Sequence, residues 1–335
     1  MTPLEAHVSL RMQDDLLRRR MVWNSRSFRL PPALGGFVRK KLWKFPYRHM
    51  RRFPVDVEFE WMEDGGWKIS QTGETGVRTQ PLGSWIGPIV RPVTLVLGGP
   101  SARDYPVEEA QAAGRLLVAV NGVPAFLAER GLRADAWMVS DPNMAFQIEA
   151  NFKHAAGVPL ALTSRAAADL LGRCPEEMAG RRLCIIERVN QWHGVRSLER
   201  RELVEMNRQS GSPFVFPEGE DGKSRIGWSH APELGFFSGC TVAFAALQIV
   251  IGLGARDIDI VGLDLGGTGH VYEEEKGALP SRLGIQYEDY ILPCFSLMHE
   301  ALAGKGVVIR NHSPVCPLPS RIFSCGSQDA SSGKQ

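Results

Sequence analysis

Short apolar runs alternate with helical stretches from residue 91 onward. The runs are rich in valine, leucine and isoleucine, and each is followed by glycine or a polar residue. Short buried strands that alternate with helices are typical of a doubly wound, mainly parallel sheet, so we predict an α/β fold of the Rossmann-like class. The predicted strands are 93–97, 116–120, 136–139, 183–186, 258–263 and 307–309, and the predicted helices are 124–130, 165–171, 240–253 and 287–303, the last interrupted by Pro293.

The segment before this sheet has a different pattern. Polar and apolar side chains alternate at 57–61, the turn residues Asp64-Gly65-Gly66 follow, and 67–70 completes a predicted β-hairpin. We therefore divide the chain into four parts. They are a basic aromatic arm at 1–55, a small β appendage at 56–90, the Rossmann-like domain at 91–325, and a small, polar tail at 326–335 that we expect to be disordered.

The formal net charge of +2 conceals a strong asymmetry. Residues 16–55 contain twelve lysines and arginines, no aspartate or glutamate, and seven interleaved aromatic side chains. The rest of the chain carries 27 basic and 37 acidic residues, a net charge of −10. A cationic segment of this kind indicates a polyanionic partner, an anionic membrane or a solvated tail. We predict that residues 16–55 contact an anionic membrane surface. Nucleic acid is the second-ranked partner.

The composition also limits the compartment. The chain has no stretch of 18 apolar residues and begins without a secretory signal pattern. Its six cysteines form neither a C-x-x-C pair nor a group with zinc-ligand spacing, so we expect free thiols and no metal site. Together these features predict a cytoplasmic protein that is peripheral at the inner face of the cytoplasmic membrane.

Glycine and polar residues gather directly after the predicted strands. The carboxyl ends of parallel strands meet at one edge of the sheet, which is where open α/β sheets bind ligands. Backbone N–H groups in a glycine-rich turn can hold a phosphate, and an asparagine there can bind a base or ribose. Each motif also has a purely structural interpretation, as a strand-to-helix turn or a helix N-cap. The candidate binding residues at strand ends are Gly98, Gly99, Pro100, Ser101, Asn121, Ser140, Asp141 and Asn143.

Two further motifs complete the candidate site. Ser238 and Gly239 precede the long apolar helix predicted at 240–253, and a helix N-terminus suits a phosphate or carboxylate. Asp264 follows the strand predicted at 258–263 and opens a glycine-rich loop that contains His270 and Tyr272. A carboxylate, an imidazole and a phenol in one loop suggest catalysis.

Histidine is the usual general base near neutral pH, so His270 is the preferred base and His230 is its rival. Asp257 and Asp259 have the spacing of a D-x-D metal motif. They lie where their strand begins, and we therefore place them at the edge opposite the ligand loops.

The ordered set of motifs resembles the bacterial sialyltransferases that use CMP-sialic acid, together with related lipopolysaccharide-core proteins of the 3-deoxy-octulosonic acid transferase type. The resemblance covers about residues 91–312 and not the arm. The elements that carry it are Gly99-Pro100-Ser101, Asn121, Asp141-Pro142-Asn143, Ser238-Gly239, Gly262-Leu263-Asp264 and Tyr272.

The resemblance implies a nucleotide-sugar domain and an inverting glycosyltransferase without a metal cofactor. The donor would be a CMP-activated acidic sugar, 3-deoxy-octulosonic or sialic acid, and the acceptor a lipopolysaccharide core or similar glycolipid. Ser101, Asn121, Ser238 and Gly239 would hold the cytidine nucleotide, and Tyr272 would hydrogen-bond the donor phosphate. The family's catalytic histidine precedes the last helix, where this chain has Gln286 and Tyr287, so either His270 has taken over the role of base or the chemistry differs.

Two alternatives come from other classes. A related domain transfers diphosphate from ATP to a hydroxymethylpterin with Mg²⁺, in which case Asp141 and Asp264 would be metal ligands. The basic and aromatic content of residues 16–55 also fits a protein that binds single-stranded nucleic acid. The donor sugar, the acceptor, the linkage and the oligomeric state stay open.

Overall fold

A computed structural model describes His49 and residues 57–71, 76–141, 144–193, 197–209, 211–218, 223–265, 269–271 and 283–323. The predictions for the basic arm, apart from His49, and for the tail fall outside these residues. The strands are β1 (Val57–Trp61), β2 (Trp67–Gln71), β3 (Val77–Arg78), β4 (Val93–Val96), β5 (Leu116–Val120), β6 (Ala136–Val139), β7 (Leu160–Leu162), β8 (Leu183–Ile185), β9 (Phe214–Val215), β10 (Trp228–Ser229), β11 (Asp257–Val261) and β12 (Val308–Asn311).

Helices flank the strands. They are α1 (Leu82–Trp85), α2 (Val107–Ala112), α3 (Val123–Glu129), α4 (Ala145–Asn151), α5 (Ser164–Leu171), α6 (Pro175–Ala179), α7 (Arg200–Gln209), α8 (Val242–Gly252), α9 (Leu283–Gln286) and α10 (Leu292–Leu302).

Seven strands form one parallel sheet in the order β12-β11-β4-β5-β6-β7-β8. The chain adds β5 to β8 on one side of β4 and later adds β11 and β12 on the other side. Strand direction and order therefore define a doubly wound, Rossmann-like α/β fold, as the sequence predicts. The order reverses between β4 and β11, so the loops that follow these two strands lie at the switch point of the sheet.

The predicted hairpin is present and belongs to a second sheet. β1 pairs antiparallel with β2, and β2 pairs with β3. After β3, the Gln80 amide donates to the carbonyl of Leu183 at 2.7 Å, which joins the small sheet to the outer side of β8. Further along the same side, the Phe236 amide donates to the Glu187 carbonyl at 2.9 Å. Backbone groups of two segments, one at Gln80 and one at Phe236, therefore hydrogen-bond to the outer side of β8 and of the residues that follow it.

Helix α8 is the central helix of the core. Its residues from Ala243 to Ile251 are all buried, and a helix that is apolar on every side belongs in an interior. Gln248 is the one polar residue in this stretch, and its side chain is fully buried. Its Oε1 accepts from the amides of Ser229 (3.1 Å) and Phe237 (3.0 Å), and its Nε2 donates to the carbonyls of Phe237 (2.8 Å) and Phe244 (2.9 Å). One side chain therefore connects α8 to β10 and to the segment that precedes the helix.

Three sequence predictions differ from the structure. The sheet has a seventh strand, β7, between β6 and β8, and six helices were not predicted: α1, α2, α4, α6, α7 and α9. The helix that was expected to break at Pro293 stays helical through a π-helical turn, Tyr287–Ile291, that leads into α10. Pro293 lies where the π-helical turn passes into α10, and the change in hydrogen-bond spacing at this junction accommodates a residue without an amide N–H. Among the described residues, no helix has the length and apolar character required to cross a membrane.

Candidate functional site

The loops after β4 and β11 are packed against each other at the switch point. The Gly99 amide donates to the Gly262 carbonyl at 3.0 Å, and Gly262 has a φ of +77°. A β-carbon on Gly99 would lie 2.4 Å from the Gly262 oxygen and 2.6 Å from Asp264 Oδ2. Glycine is required at position 99 because the second loop approaches this closely.

Ser101 and Asp264 are brought together as a pair. The Ser101 amide donates to Asp264 Oδ2 at 2.7 Å, and the Ser101 hydroxyl donates to Oδ1 at 2.5 Å. Hydrogen bonds to a carboxylate are among the stronger ones in proteins. Both carboxylate oxygens thus hold the Gly98–Ser101 turn in place, which makes Asp264 a positioning residue in this geometry.

His270 lies against the same turn. Its side chain is exposed, and its Nδ1 lies 3.3 Å from the Gly98 carbonyl oxygen. The next residue, Val271, is fully buried, and its amide donates to the same carbonyl at 2.8 Å. Arg103 Nη2 donates to the Val271 carbonyl at 2.6 Å. These bonds fix the imidazole at the carboxyl edge of β4. The other predicted residue of this loop, Tyr272, lies outside the described residues.

Asn121 ends β5 in a left-handed backbone conformation, with a φ of +49°. Its amide donates to the Met138 carbonyl at 3.1 Å, and its carbonyl accepts from Trp137 Nε1 at 2.7 Å. The side-chain Oδ1 is buried and has no hydrogen-bond partner among the described residues. A buried acceptor without a donor is costly, so this oxygen is suited to receive a hydrogen bond from a ligand.

Ser140 and Asp141 follow β6 at the same edge. The structure rules out the interpretation of this motif as a helix N-cap, because α4 begins at Ala145 and Met144 precedes it without a side-chain cap. Ser140 is buried and Asp141 is partly buried. Asn143, the third candidate residue here, lies outside the described part of the chain.

Ser238 and Gly239 precede the helix, as predicted, but neither residue caps it. α8 begins at Val242, and Thr241 is its N-cap, with Oγ1 accepting from the Ala243 amide at 3.3 Å. Gly239 and Cys240 form a turn before the cap and both have positive φ, at +48° and +59°. A β-carbon on Gly239 would lie 2.6 Å from the Phe244 ring, so glycine is needed here for packing against the helix.

Two arginines beside this turn were not among the predicted site residues. Arg188 follows β8, and burial lowers its pKa; the carboxylate of Asp141 opposes this effect and the charge of Arg225 adds to it. Arg225 Nη1 lies 3.9 Å from Cys240 Sγ. The two guanidinium groups therefore interact at the carboxyl edge, beside the 238–241 turn. Arg188 is the second residue after the strand predicted at 183–186, so the rule that selected the other loops could have found it.

His230, the rival base, lies at the opposite end of the sheet. Trp228 Nε1 donates to its Nδ1 at 3.1 Å, and Lys305 Nζ lies 3.3 Å from its Nε2. Lys305 precedes β12, so this histidine is near the amino edge of the strands. Burial and the charge of Lys305 lower its pKa to about 4. His230 is too far from the ligand loops to act as their base.

Asp257 and Asp259 belong to an ion network. Arg115 Nη2 lies 3.2 Å from Asp257 Oδ1 and 3.0 Å from Asp259 Oδ2. Arg310 Nε and His312 Nε2 lie 2.9 Å and 3.2 Å from Asp259 Oδ1. The cations beside both carboxylates are the guanidinium groups of Arg115 and Arg310, which agrees with a structural role for this D-x-D sequence.

Within the described ranges, no three histidine, cysteine, aspartate or glutamate side chains are placed to hold a metal ion. No protein-family model, curated protein or solved structure is significantly similar to this chain.

Proposed function

We propose that the protein is an inverting glycosyltransferase that uses a CMP-activated acidic sugar, 3-deoxy-octulosonic or sialic acid, and transfers it to a lipopolysaccharide core or similar glycolipid. The observation that carries the proposal is the pair Arg188 and Arg225 beside the 238–241 turn. Such a donor has two anionic groups, a phosphate and a carboxylate. Two guanidinium groups that repel each other are stabilised when an anion lies between them.

Asn121 and the loops at the switch point support the same proposal. The Asn121 Oδ1 can accept a hydrogen bond from the cytosine amino group or from a ribose hydroxyl. The Gly98–Ser101 turn lies where dinucleotide and nucleotide ligands bind in doubly wound sheets. Asp264 holds this turn through Ser101, so its contribution is to fix the shape of the nucleotide site.

His270 is the proposed general base. If Nδ1 carries the proton and donates to the Gly98 carbonyl, the lone pair of Nε2 takes the proton from the acceptor hydroxyl. The hydroxyl oxygen then attacks the anomeric carbon, and the bond to the CMP phosphate breaks on the opposite face. Arg188 and Arg225 stabilise the negative charge that develops on the leaving phosphate. Tyr272 would contribute a further hydrogen bond, as the resemblance implies.

A ligand screen tests the proposal. We expect CMP to raise the unfolding temperature of the full chain, with about 2.7 kcal/mol of stabilisation at about 100 times the dissociation constant. UDP, GDP and ATP should have little effect. Arg188→Gln should abolish the CMP effect, whereas Arg201→Gln on α7, an exposed position, should retain it. Stabilisation by ATP only with Mg²⁺, and none by CMP, would contradict the proposal and favour a diphosphokinase.

Turnover of a CMP-sugar donor tests the base. His270→Ala should lower kcat about 100-fold or more without changing the affinity for CMP. His230→Gln should retain activity near pH 7.5, since that ring lies at the other end of the sheet. Equal losses of kcat in both variants would contradict the assignment of His270 as the general base.

The basic arm is proposed to hold the enzyme at an anionic membrane, where a glycolipid acceptor is found. Each basic residue near such a surface contributes about 1 kcal/mol at low salt. Sedimentation with anionic vesicles that is lost at high salt, and absent with neutral vesicles, is the expected result. Salt-sensitive binding of single-stranded RNA without vesicle binding would favour the nucleic-acid alternative.

A further inference from the structure

The residues before and after Arg225 are both held by hydrogen bonds to other parts of the fold. Asn190, in the segment that follows β8, donates from Nδ2 to the Ser224 hydroxyl at 3.1 Å. Arg200, the first residue of α7, donates from Nη1 to the Ile226 carbonyl at 2.9 Å. The Arg225 side chain is exposed, but the chain on either side of it is fixed.

The π-helical turn and the start of α10 contact the same residue. The Cys294 thiol donates to the Arg225 carbonyl at 3.7 Å. The centroid of the Tyr290 ring lies 5.8 Å from Arg225 Cζ and 4.4 Å from Lys223 Nζ. An aromatic ring attracts a cation within about 6 Å of its centroid. This part of the chain therefore reaches both the backbone and the guanidinium of Arg225, and π-helical turns are frequent at functional sites.

The guanidinium of Arg225 is held without an ion pair. In the described part of the chain no carboxylate is paired with it, and the nearby carboxylate of Asp289 is bound by Lys223, with Nζ 2.8 Å from Oδ1. Arg225 Nη1 instead lies 3.9 Å from Cys240 Sγ, in the turn beside Arg188. Two guanidinium groups repel each other, so an attractive contact is needed to keep Arg225 at this turn.

We propose that Tyr290 is a positioning residue of the candidate site. Its ring holds the Arg225 guanidinium beside the 238–241 turn, against the repulsion of Arg188, so that the anion site is already formed when a ligand arrives. A binding group that is ordered in advance loses less entropy when the ligand binds. The inference rests on the proposed function for the identity of the anion, the phosphate of CMP.

Calorimetric titration of the full chain with CMP measures the contribution of the ring. Tyr290→Leu should weaken CMP binding about two- to fivefold, the factor expected when one exposed cation–ring contact is lost. Tyr290→Phe keeps the ring and should bind CMP as the unmodified chain does. The matched control is Phe152→Leu, which removes a ring 4.6 Å from Arg181 Cζ. Arg181 precedes β8, so this pair lies at the amino edge of the sheet, and its loss should leave CMP binding unchanged.

The Nε–Hε signal of Arg225 in the NMR spectrum of the ligand-free, ¹⁵N-labelled chain reports the position of the guanidinium directly. Arg225→Lys assigns the signal, because lysine has no such group. Tyr290→Leu should shift the signal, since the magnetic effect of the ring is lost and the side chain moves. Tyr290→Phe and Phe152→Leu should leave it in place.

Three results would overturn the proposal. The first is an Arg225 signal that does not shift in Tyr290→Leu, because the ring then does not hold the guanidinium. The second is equal weakening of CMP binding by Tyr290→Phe and Tyr290→Leu, and the third is equal weakening by Phe152→Leu. A chain that does not bind CMP would refute the proposed function, whereas the Arg225 signal would still decide whether Tyr290 positions this side chain.

Discussion

Gly99→Ala tests the packing of the two loops at the switch point. The added β-carbon would lie 2.4 Å from the Gly262 carbonyl oxygen, whereas ordinary contacts begin near 3.4 Å. The loops would have to separate by about 1 Å, because the atom that is met belongs to the backbone and cannot rotate away. That movement would stretch the bond of the Ser101 amide to Asp264 from 2.7 Å to beyond hydrogen-bond range. Overpacking and a weakened charge-assisted hydrogen bond together should lower the free energy of unfolding by about 2–4 kcal/mol.

Urea denaturation followed by far-UV circular dichroism measures this loss as a lower midpoint at constant slope. The matched control is Gly83→Ala in α1, where a β-carbon would meet no atom within 4 Å. Alanine is the better helix former, so this variant should be as stable as the unmodified chain or more stable by up to about 1 kcal/mol. If the free energy of unfolding of Gly99→Ala is within about 0.5 kcal/mol of that of the unmodified chain, the loops are not packed as described and the reasoning fails.

Three more substitutions test polar side chains that are buried or partly buried. Gln248→Leu leaves the amides of Ser229 and Phe237 without acceptors, and should cost about 3 kcal/mol or more in urea denaturation. Asp264→Asn should lower stability by about 1–3 kcal/mol and abolish stabilisation by CMP in a thermal-shift assay. The lowered pKa of His230, about 4, means that its neutral form stabilises the fold above pH 6.5 and that this stability is lost as the pH falls toward 4. His230→Gln should therefore flatten the change in urea midpoint between about pH 7.5 and about pH 5.

The sequence predicts the sheet well where strands are long and rich in β-branched residues. β7 was missed because it has three residues, Leu160–Leu162, and none is β-branched. Its conformation depends on β6 and β8, which pair with it on both sides. Pairing with distant strands cannot be predicted from the pattern of residues within the segment itself. The helical turn at Pro293 was mispredicted for a similar reason, since the packed π-helical turn accommodates the proline.

The candidate site is predictable where it depends on strand ends. Glycine, asparagine and aspartate after apolar runs are enough to identify the loops that carry Ser101, Asn121 and Asp264. The predicted stretch 240–253 begins two residues before α8, because the pattern of apolar residues does not show that Thr241 makes the capping bond. No sequence pattern identifies Arg225 as a site residue, because it lies in the irregular segment between β9 and β10 and reaches the site only through the tertiary fold.

The junction between the small sheet and β8 has a consequence for solubility. An uncovered outer strand of a parallel sheet presents unpaired amides and carbonyls to which another chain can add as a strand. Here the carbonyls of Leu183 and Glu187 accept from the amides of Gln80 and Phe236, so this border is already occupied by the chain itself. The appendage thus helps to protect the β8 border of the large sheet from edge-to-edge aggregation, and loss of Gln80 from its place would expose this border at one end.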